Sequence, residues 1–190
     1  MTDCADHIRV ICPLFQMEYG GASPTSALQL QITEATVHLA CRLNKLWHSR
    51  LPNIHWSNIV RNTHYVCYVA SYNNVYYATA IWSSPVAQNR LLNGDTILEL
   101  RRLAISDDAP KNTASRMIRI MKNNIVKKYP DITKLISYQD TEVHAGIIYK
   151  ASGWKSTTTS PGISWSTNNR TRNTEQTKAP KIRWEYIINK

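Results

Sequence analysis

Asp140 and His144 stand four residues apart. On a helix that spacing puts two side chains on one face, where a carboxylate can orient an imidazole as a base. The same pair also reads as a helix N-terminal cap beside a surface histidine. Tyr138 alternates with Asp140 along the preceding apolar stretch and offers a ring for stacking a base. His48 closes an apolar helical run, a position where a lone histidine commonly meets the helix dipole. Arg102 is a charge in a run that otherwise reads as core. It either pairs with an acid such as Asp140 or meets an anionic substrate, and the Arg101-Arg102 doublet leaves open which of the two faces inward. Thr113, Ala114 and Ser115 begin a helical pattern, and the first amides of a helix hold anions. Lys111 and Asn112 precede them, and Lys111 adds positive charge.

No metal set is evident, because His48, His55, His64, His144 and Asp140 are scattered; only a fold that made them converge would hold a metal. Cys4, Cys12, Cys41 and Cys67 are widely spaced with no C-x-x-C pair, which fits reduced thiols in a cytoplasmic protein. The first residues carry acids and no apolar block, so no signal peptide is expected. No apolar run approaches the roughly 20 residues that span a bilayer.

The elements that must position these residues follow from periodicity. Residues 8–14 read as a short strand. A helix is expected from a Thr33 cap to about Arg50, with Leu39, Leu43, Leu46 and Trp47 at helical spacing. Residues 64–72 and 75–82 read as strands joined by an Asn73-Asn74 turn, since Asn tolerates positive φ. Residues 97–105 form a third strand with Leu98, Leu100 and Arg102 on one face. The next helix runs to Lys128, with Ala114, Ile118, Met121 and Ile125 inward and Arg116, Arg119, Lys122 and Lys127 outward. A strand over 135–138, a helix over 143–151 ended by Gly153, and strands over 154–159 and 182–188 complete the pattern. The fold class is α/β (α+β): one domain over 1–190, with a central mixed, largely antiparallel sheet flanked by helices.

The chain of 190 residues carries a formal net charge of +10. A basic surface attracts a polyanion. From Lys150 onward, eight Lys/Arg face only Glu175 and Glu185, making 155–190 a basic, loop-rich part. Arg50, Arg61, Arg170, Arg172, Lys178 and Lys181 are the candidate phosphate contacts. Trp154, Trp165, Trp184 and Tyr186 lie among the cations, either as exposed stacking surfaces or as core.

The element order and the motif Ile148-Tyr149-Lys-Ala-Ser-Gly-Trp154 resemble the GNAT acyltransferases. More specifically, the chain resembles the phage Mu Mom-like DNA-modification proteins. The residues that carry this are Trp47-His48-Ser-Arg-Leu-Pro52, Leu100-Arg-Arg-Leu-Ala-Ile105, Pro110-Lys-Asn-Thr-Ala-Ser115, Ser137-Tyr-Gln-Asp140, His144-Ala-Gly146 and Tyr149. The resemblance covers about 33–154.

The resemblance implies a transferase that adds a carbamoylmethyl-type group to adenine N6 in DNA and so shields it from host restriction nucleases. It implies that Tyr149 protonates a leaving thiolate and that Asp140, with Tyr149 or His48, handles protons. It implies a cofactor between Leu103, Ala104 and Ile105 and the helix start at Lys111, Asn112, Thr113, Ala114 and Ser115. Acetyl-CoA, or another acyl or glycine-derived donor, is the expected cofactor. The loop over 108–115 departs from the usual GNAT phosphate loop by having no glycine. Double-stranded DNA in a host cytoplasm is the expected partner, no membrane is expected, and a homodimer is left open. Two other functions fit the same scaffold: an N-acetyltransferase acting on a small amine or protein, and a DNA-binding protein without catalysis.

Overall fold

The computed structural model describes residues 22–48, 53–87, 96–143, 145–161 and 179–188. The expected strand over 8–14, and Arg50, His144, Trp165, Arg170, Arg172 and Lys178, lie outside these.

After a short 3-10 turn (Ala27–Gln29) come β1 (Gln31–Ala35), α1 (Val37–Trp47), α2 (Ser57–Val60), β2 (Tyr65–Tyr72), β3 (Val75–Ser83), β4 (Ile97–Ile105), α3 (Thr113–Lys128), β5 (Lys134–Asp140), α4 (Ile147–Ala151), β6 (Lys155–Ser160) and β7 (Lys181–Ile187). The strands form one seven-stranded sheet in the order β1-β2-β3-β4-β5-β7-β6. Every pairing is antiparallel except β4 with β5, which α3 connects. The class expected from periodicity, a mixed and largely antiparallel sheet with flanking helices, is the one observed. Asn73 and Asn74 both take positive φ, as the two-residue turn between β2 and β3 requires. No helix among the described residues is long and apolar enough to cross a membrane.

Helix α3 packs Met117, Ile118, Met121 and Ile125 on one face of the sheet, against Trp82, Leu98, Leu100 and Leu135. Helix α1 covers the opposite face with Val37 and Ala40, against Cys67 and Ile81. Trp154 and Trp184 are buried in the α3-side core. These two tryptophans are core rather than exposed stacking surfaces.

Three expectations change. Thr33 does not cap a helix: it lies in edge strand β1, opposite Val69, and Thr36 accepts the Leu39 N–H at 3.3 Å instead. Branched Ile32 and Thr33 suit a strand. The buried stripe of α1 is then Val37, Ala40, Leu43 and Asn44, and Leu46 is exposed. Arg102 does not share a face with Leu98 and Leu100. A β-bulge opposite Ile81 and Trp82 leaves Arg102 paired with Ile81 and Leu100 paired with Trp82, skipping Arg101. Residues 141–143 form a turn rather than a helix, and α4 begins at Ile147. Asp140 therefore ends a strand rather than lying on a helix; His144 is outside the described residues. On α3, Arg116 and Lys122 are half-buried rather than fully solvated, and Lys122 Nζ lies 4.0 Å from the Tyr186 ring centroid.

Candidate active site at the splayed strand ends

Strands β4 and β5 pair over Ile97–Leu100 and Lys134–Ser137 only. Beyond those residues no further pairing joins them, and a cavity of about 330 Å³ lies there. Its lining includes His48, Glu99, Arg101, Arg102, Leu103, Ile105, Ala114, Ser137, Tyr138, Asp140, Ile148, Tyr149 and Lys181.

Strand register sorts these side chains by face. Arg102 pairs with Ile81, which packs under α1, and Glu99 precedes it on the same side, opposite Ser83. The bulge brings Arg101 to that side as well, and both arginines line the cavity. Tyr138 and Asp140 alternate with Ser137 and Gln139, so they belong to the α1 face with their partners Arg183 and Lys181. Leu103, Ile105 and Tyr149 belong to the α3 face, where they join that core. One half of the cavity is therefore charged and the other largely apolar.

On the apolar side, Tyr149 is 7% exposed. Its ring stacks on Trp184 with centroids 5.3 Å apart and planes at 16°. Its Oη lies 2.9 Å from Ser137 Oγ, which in turn donates to the Leu100 carbonyl at 3.3 Å. With the Ser137 proton directed there, the Tyr149 phenol donates to Ser137 Oγ. Burial pushes the Tyr149 pKa up, against a smaller lowering by Ser137. The phenol thus keeps its proton at neutral pH and is fit to act as an acid.

Gly146 holds α4 in place. Its φ is +71°, and a Cβ there would meet Gln139 Oε1 at 2.5 Å and Trp184 Cζ2 at 2.6 Å. Trp184 Nε1 donates to that same Gln139 Oε1 at 2.7 Å. No other residue fits this left-handed, tightly packed cap without displacement.

On the charged side, Lys181 Nζ contacts Asp140 Oδ2 at 2.5 Å, and the Glu142 N–H donates to Asp140 Oδ1 at 3.1 Å. Lys181, expected as a phosphate contact, is thus a cavity residue held by Asp140. Arg101 Nη1 donates to Ser83 Oγ at 3.4 Å, and Arg102 Nη1 donates to the Arg101 carbonyl at 2.7 Å. Burial lowers both arginine pKa values; that of Arg102 falls to about 10, with Arg101 adding to the fall and Glu99 and Cys41 opposing it. His48 caps the end of α1, its N–H donating to the Asn44 carbonyl at 2.9 Å, and it reaches the cavity lining.

The start of α3 adjoins the apolar half through Ala114. Asn112 takes the left-handed conformation, φ +69°, so the loop without glycine still makes a turn of that kind. Thr113 Oγ1 donates to the Pro110 carbonyl at 2.6 Å, and Ser115 Oγ donates to the Asn112 carbonyl at 3.1 Å. Lys111 is exposed nearby in sequence, whereas the Ala104 side chain is buried and does not line the cavity. Arg61 is exposed at the end of α2 and is not part of the lining.

Sequence reasoning missed Glu99, Ser137 and the Gly146–Gln139–Trp184 contact. Glu99 carried a usable signal, since an acid inside an apolar strand invites the same question as Arg102. Ser137 carried none, because its role depends on a helix twelve residues away.

This architecture is that of the GNAT acetyltransferases. The ribosomal-protein-S18-alanine N-acetyltransferase from Escherichia coli superposes with a TM-score of 0.59 at 14% identity, covering 85% of this chain and 95% of that one. The ribosomal-protein-alanine N-acetyltransferase from Brucella melitensis gives 0.61 at 13% identity, covering 84% and 100%. A putative acetyltransferase from Salmonella typhimurium, solved with its cofactor acetyl-CoA, gives 0.60 at 9% identity, covering 85% and 95%. No curated protein matches by sequence. The model of the Mom protein family matches residues 51–189, and the chain belongs to that family. That match takes in every cavity residue named above except His48.

Proposed function

We propose that this protein is a transferase that modifies adenine at N6 in DNA with a carbamoylmethyl-type group. The observation that carries the reading is the cavity itself. In a chain of the Mom family, the splayed ends of β4 and β5 bring a buried phenol, a carboxylate–ammonium pair and two arginines to one space. The basic charge of the chain supports a polyanionic substrate.

A CoA-type donor suits the apolar half. Leu103 and Ile105 line it, and the Ala114 and Ser115 amides at the start of a 16-residue helix favour phosphate, with Lys111 adding charge. Such a donor supplies an activated acyl carbon. The left-handed Asn112 stands where a glycine would serve the same turn. Simple acetyl transfer gives N6-acetyladenine rather than the carbamoylmethyl product, so another acyl or glycine-derived donor, with further steps to the carbamoylmethyl amine, is the alternative for the same space.

The residues divide the work by face. Tyr149 holds a proton at Oη and delivers it to a leaving group on the apolar side. Asp140, ordered by Lys181 and the Glu142 amide, accepts a proton from the amine on the charged side. Adenine N6 is a weak nucleophile, its lone pair spread into the ring, so removing its proton as the bond forms assists attack. The base must leave the duplex stack to reach the cavity. Tyr138 offers it a ring, and Arg61 and the basic 155–190 part grip flanking phosphates.

Mass spectrometry of nucleosides from the DNA of cells making the protein tests this reading. A modified deoxyadenosine heavier by the carbamoylmethyl increment is expected. Unmodified deoxyadenosine, with thioester turnover on small amines, would replace it by an N-acetyltransferase reading.

A further inference from the structure

The two halves of the cavity differ in charge, and the charged half is unevenly matched. Lys181 and Asp140 face one another at 2.5 Å. Strand β4 adds Arg101, Arg102 and Glu99 to the same face. Among the described lining residues of this strand, two guanidinium groups against one carboxylate leave a formal charge of one positive unit. Glu99 is 8% exposed, and its Oε2 accepts the Val86 N–H at 3.3 Å. The carboxylate is thereby tied to the segment that follows β3 while it sits two residues before the bulged Arg101.

A regular strand would send Arg101 and Arg102 to opposite faces. The bulge sends both into one cavity. Placing two neighbouring cations together, half out of water, favours anions beside them; Glu99 is one, and a bound anion would bring the charge to balance. Guanidinium forks suit oxygen anions, making paired hydrogen bonds.

We propose that Arg101 and Arg102, braced by Glu99, hold a phosphodiester of the acceptor strand beside the nucleotide being modified. This rests on the reading of DNA as the acceptor. The charge matches, since a phosphodiester carries one negative unit. The placement matches too. The pair lies on the same face as Tyr138 and Asp140 and opposite Leu103, Ile105 and Tyr149, so a strand held there keeps its base on the charged side with its amine towards the donor in the apolar half. A small free carboxylate offers similar oxygens, but the chain's net charge of +10 favours a polyanion over a lone small acid.

The test uses a short single-stranded oligonucleotide with one adenine, so that no base need be extruded. A methylphosphonate replaces the phosphate on the 5′ or the 3′ side of that adenine, removing its charge. Binding is measured at one fixed salt concentration. In the wild-type protein one of these two replacements should weaken binding about tenfold or more. Replacements further along the strand should cost clearly less. Arg101→Gln and Arg102→Gln should weaken binding of the native oligonucleotide by a similar factor, and the methylphosphonate should then cost nothing more.

Two silent flanking replacements in the wild-type protein would overturn the proposal, whether or not the variants fold. So would glutamine variants that keep the full methylphosphonate penalty. Competition by millimolar acetate with both replacements silent would reassign the arginines to a small carboxylate. Nucleoside analysis separates this from the parent reading. Modified adenine with silent replacements removes the clamp and keeps the function; unmodified adenine with a sensitive flanking phosphate does the reverse.

Discussion

Strands β4 and β5 run side by side twice over, and the two stretches are built differently. Over 97–100 and 134–137 they are hydrogen-bonded, and Leu98 and Leu135 are fully buried between α3 and the sheet. Past that point the pairing ends, and Arg101, Arg102, Tyr138 and Asp140 line a cavity. The first stretch holds the fold together. The second parts the strand ends and lines the space between them with polar and charged side chains, the kind of lining a ligand site needs. The lesson is that stability and chemistry lie a few residues apart on the same strands, so single substitutions can separate them.

The largest effect on stability is expected in the paired stretch. Leu98→Ala should destabilise the protein by about 2–5 kcal/mol, because a fully buried side chain is lost and a cavity remains. The molecules that stay folded should keep their activity. Chemical denaturation and an activity assay at low temperature check both halves of that statement.

Gly146→Ala comes next and should blur the division. The new Cβ meets Gln139 and Trp184 and must take a positive φ, which together cost about 2–4 kcal/mol. Since Gly146 caps the helix carrying Tyr149, activity should fall along with stability. A variant with wild-type melting and wild-type activity would show that this cap is slack.

The pH dependence sharpens the role of the splayed stretch. Burial raises the Tyr149 pKa, so its proton is present at neutral pH and is lost only as pH rises past the ordinary tyrosine value. Turnover at saturating substrate should therefore show no loss from this group between about pH 7 and 9. A fall within that window that disappears in Tyr149→Phe would contradict the assignment. The same sign governs stability. A folded-state pKa above the unfolded one contributes stability that is full below the unfolded pKa and fades as pH rises through the folded one.

The smallest effect is expected at Arg61, exposed and away from the cavity lining. Arg61→Gln should weaken DNA binding by about threefold or less and reduce its salt dependence by about one phosphate contact. Catalysis of bound DNA should be unchanged. A large loss of turnover would place Arg61 closer to the reaction than the structure does.

Residue type and periodicity were enough for the extent of β2, β3, β4 and α3, where strand-forming residues or a 3.6-residue repeat mark the element and the Asn73-Asn74 turn is marked by residue type. It failed where one residue changes the register. The bulge at Arg101 has no compositional sign, so a strict period of two put Arg102 on the leucine face. The last part of the short strand β1 was read into α1 because Thr33 is also a common helix cap, and pairing with β2 decides between them. Among the cavity residues, Arg102 stood out as a charge in an apolar run and Asp140 as an acid at a strand end, whereas Tyr149 and His48 came into view through the family resemblance. The Asp140–Lys181 contact joins residues forty-one apart, and no local pattern announces it. Lys181 looked like one more cation of a basic tail for that reason.

The most direct test of the account compares wild-type, Asp140→Asn and Tyr149→Phe proteins in one assay. DNA from cells making each protein is digested, and modified deoxyadenosine is quantified by mass spectrometry, with melting temperature and DNA affinity measured on the same purified proteins. The account predicts that each variant loses modification by about 10²-fold or more while melting and DNA affinity stay near wild type. It further predicts that the double variant loses little more than either single one. Wild-type levels of modification in both variants would contradict the claim that the splayed ends of β4 and β5 are the active site.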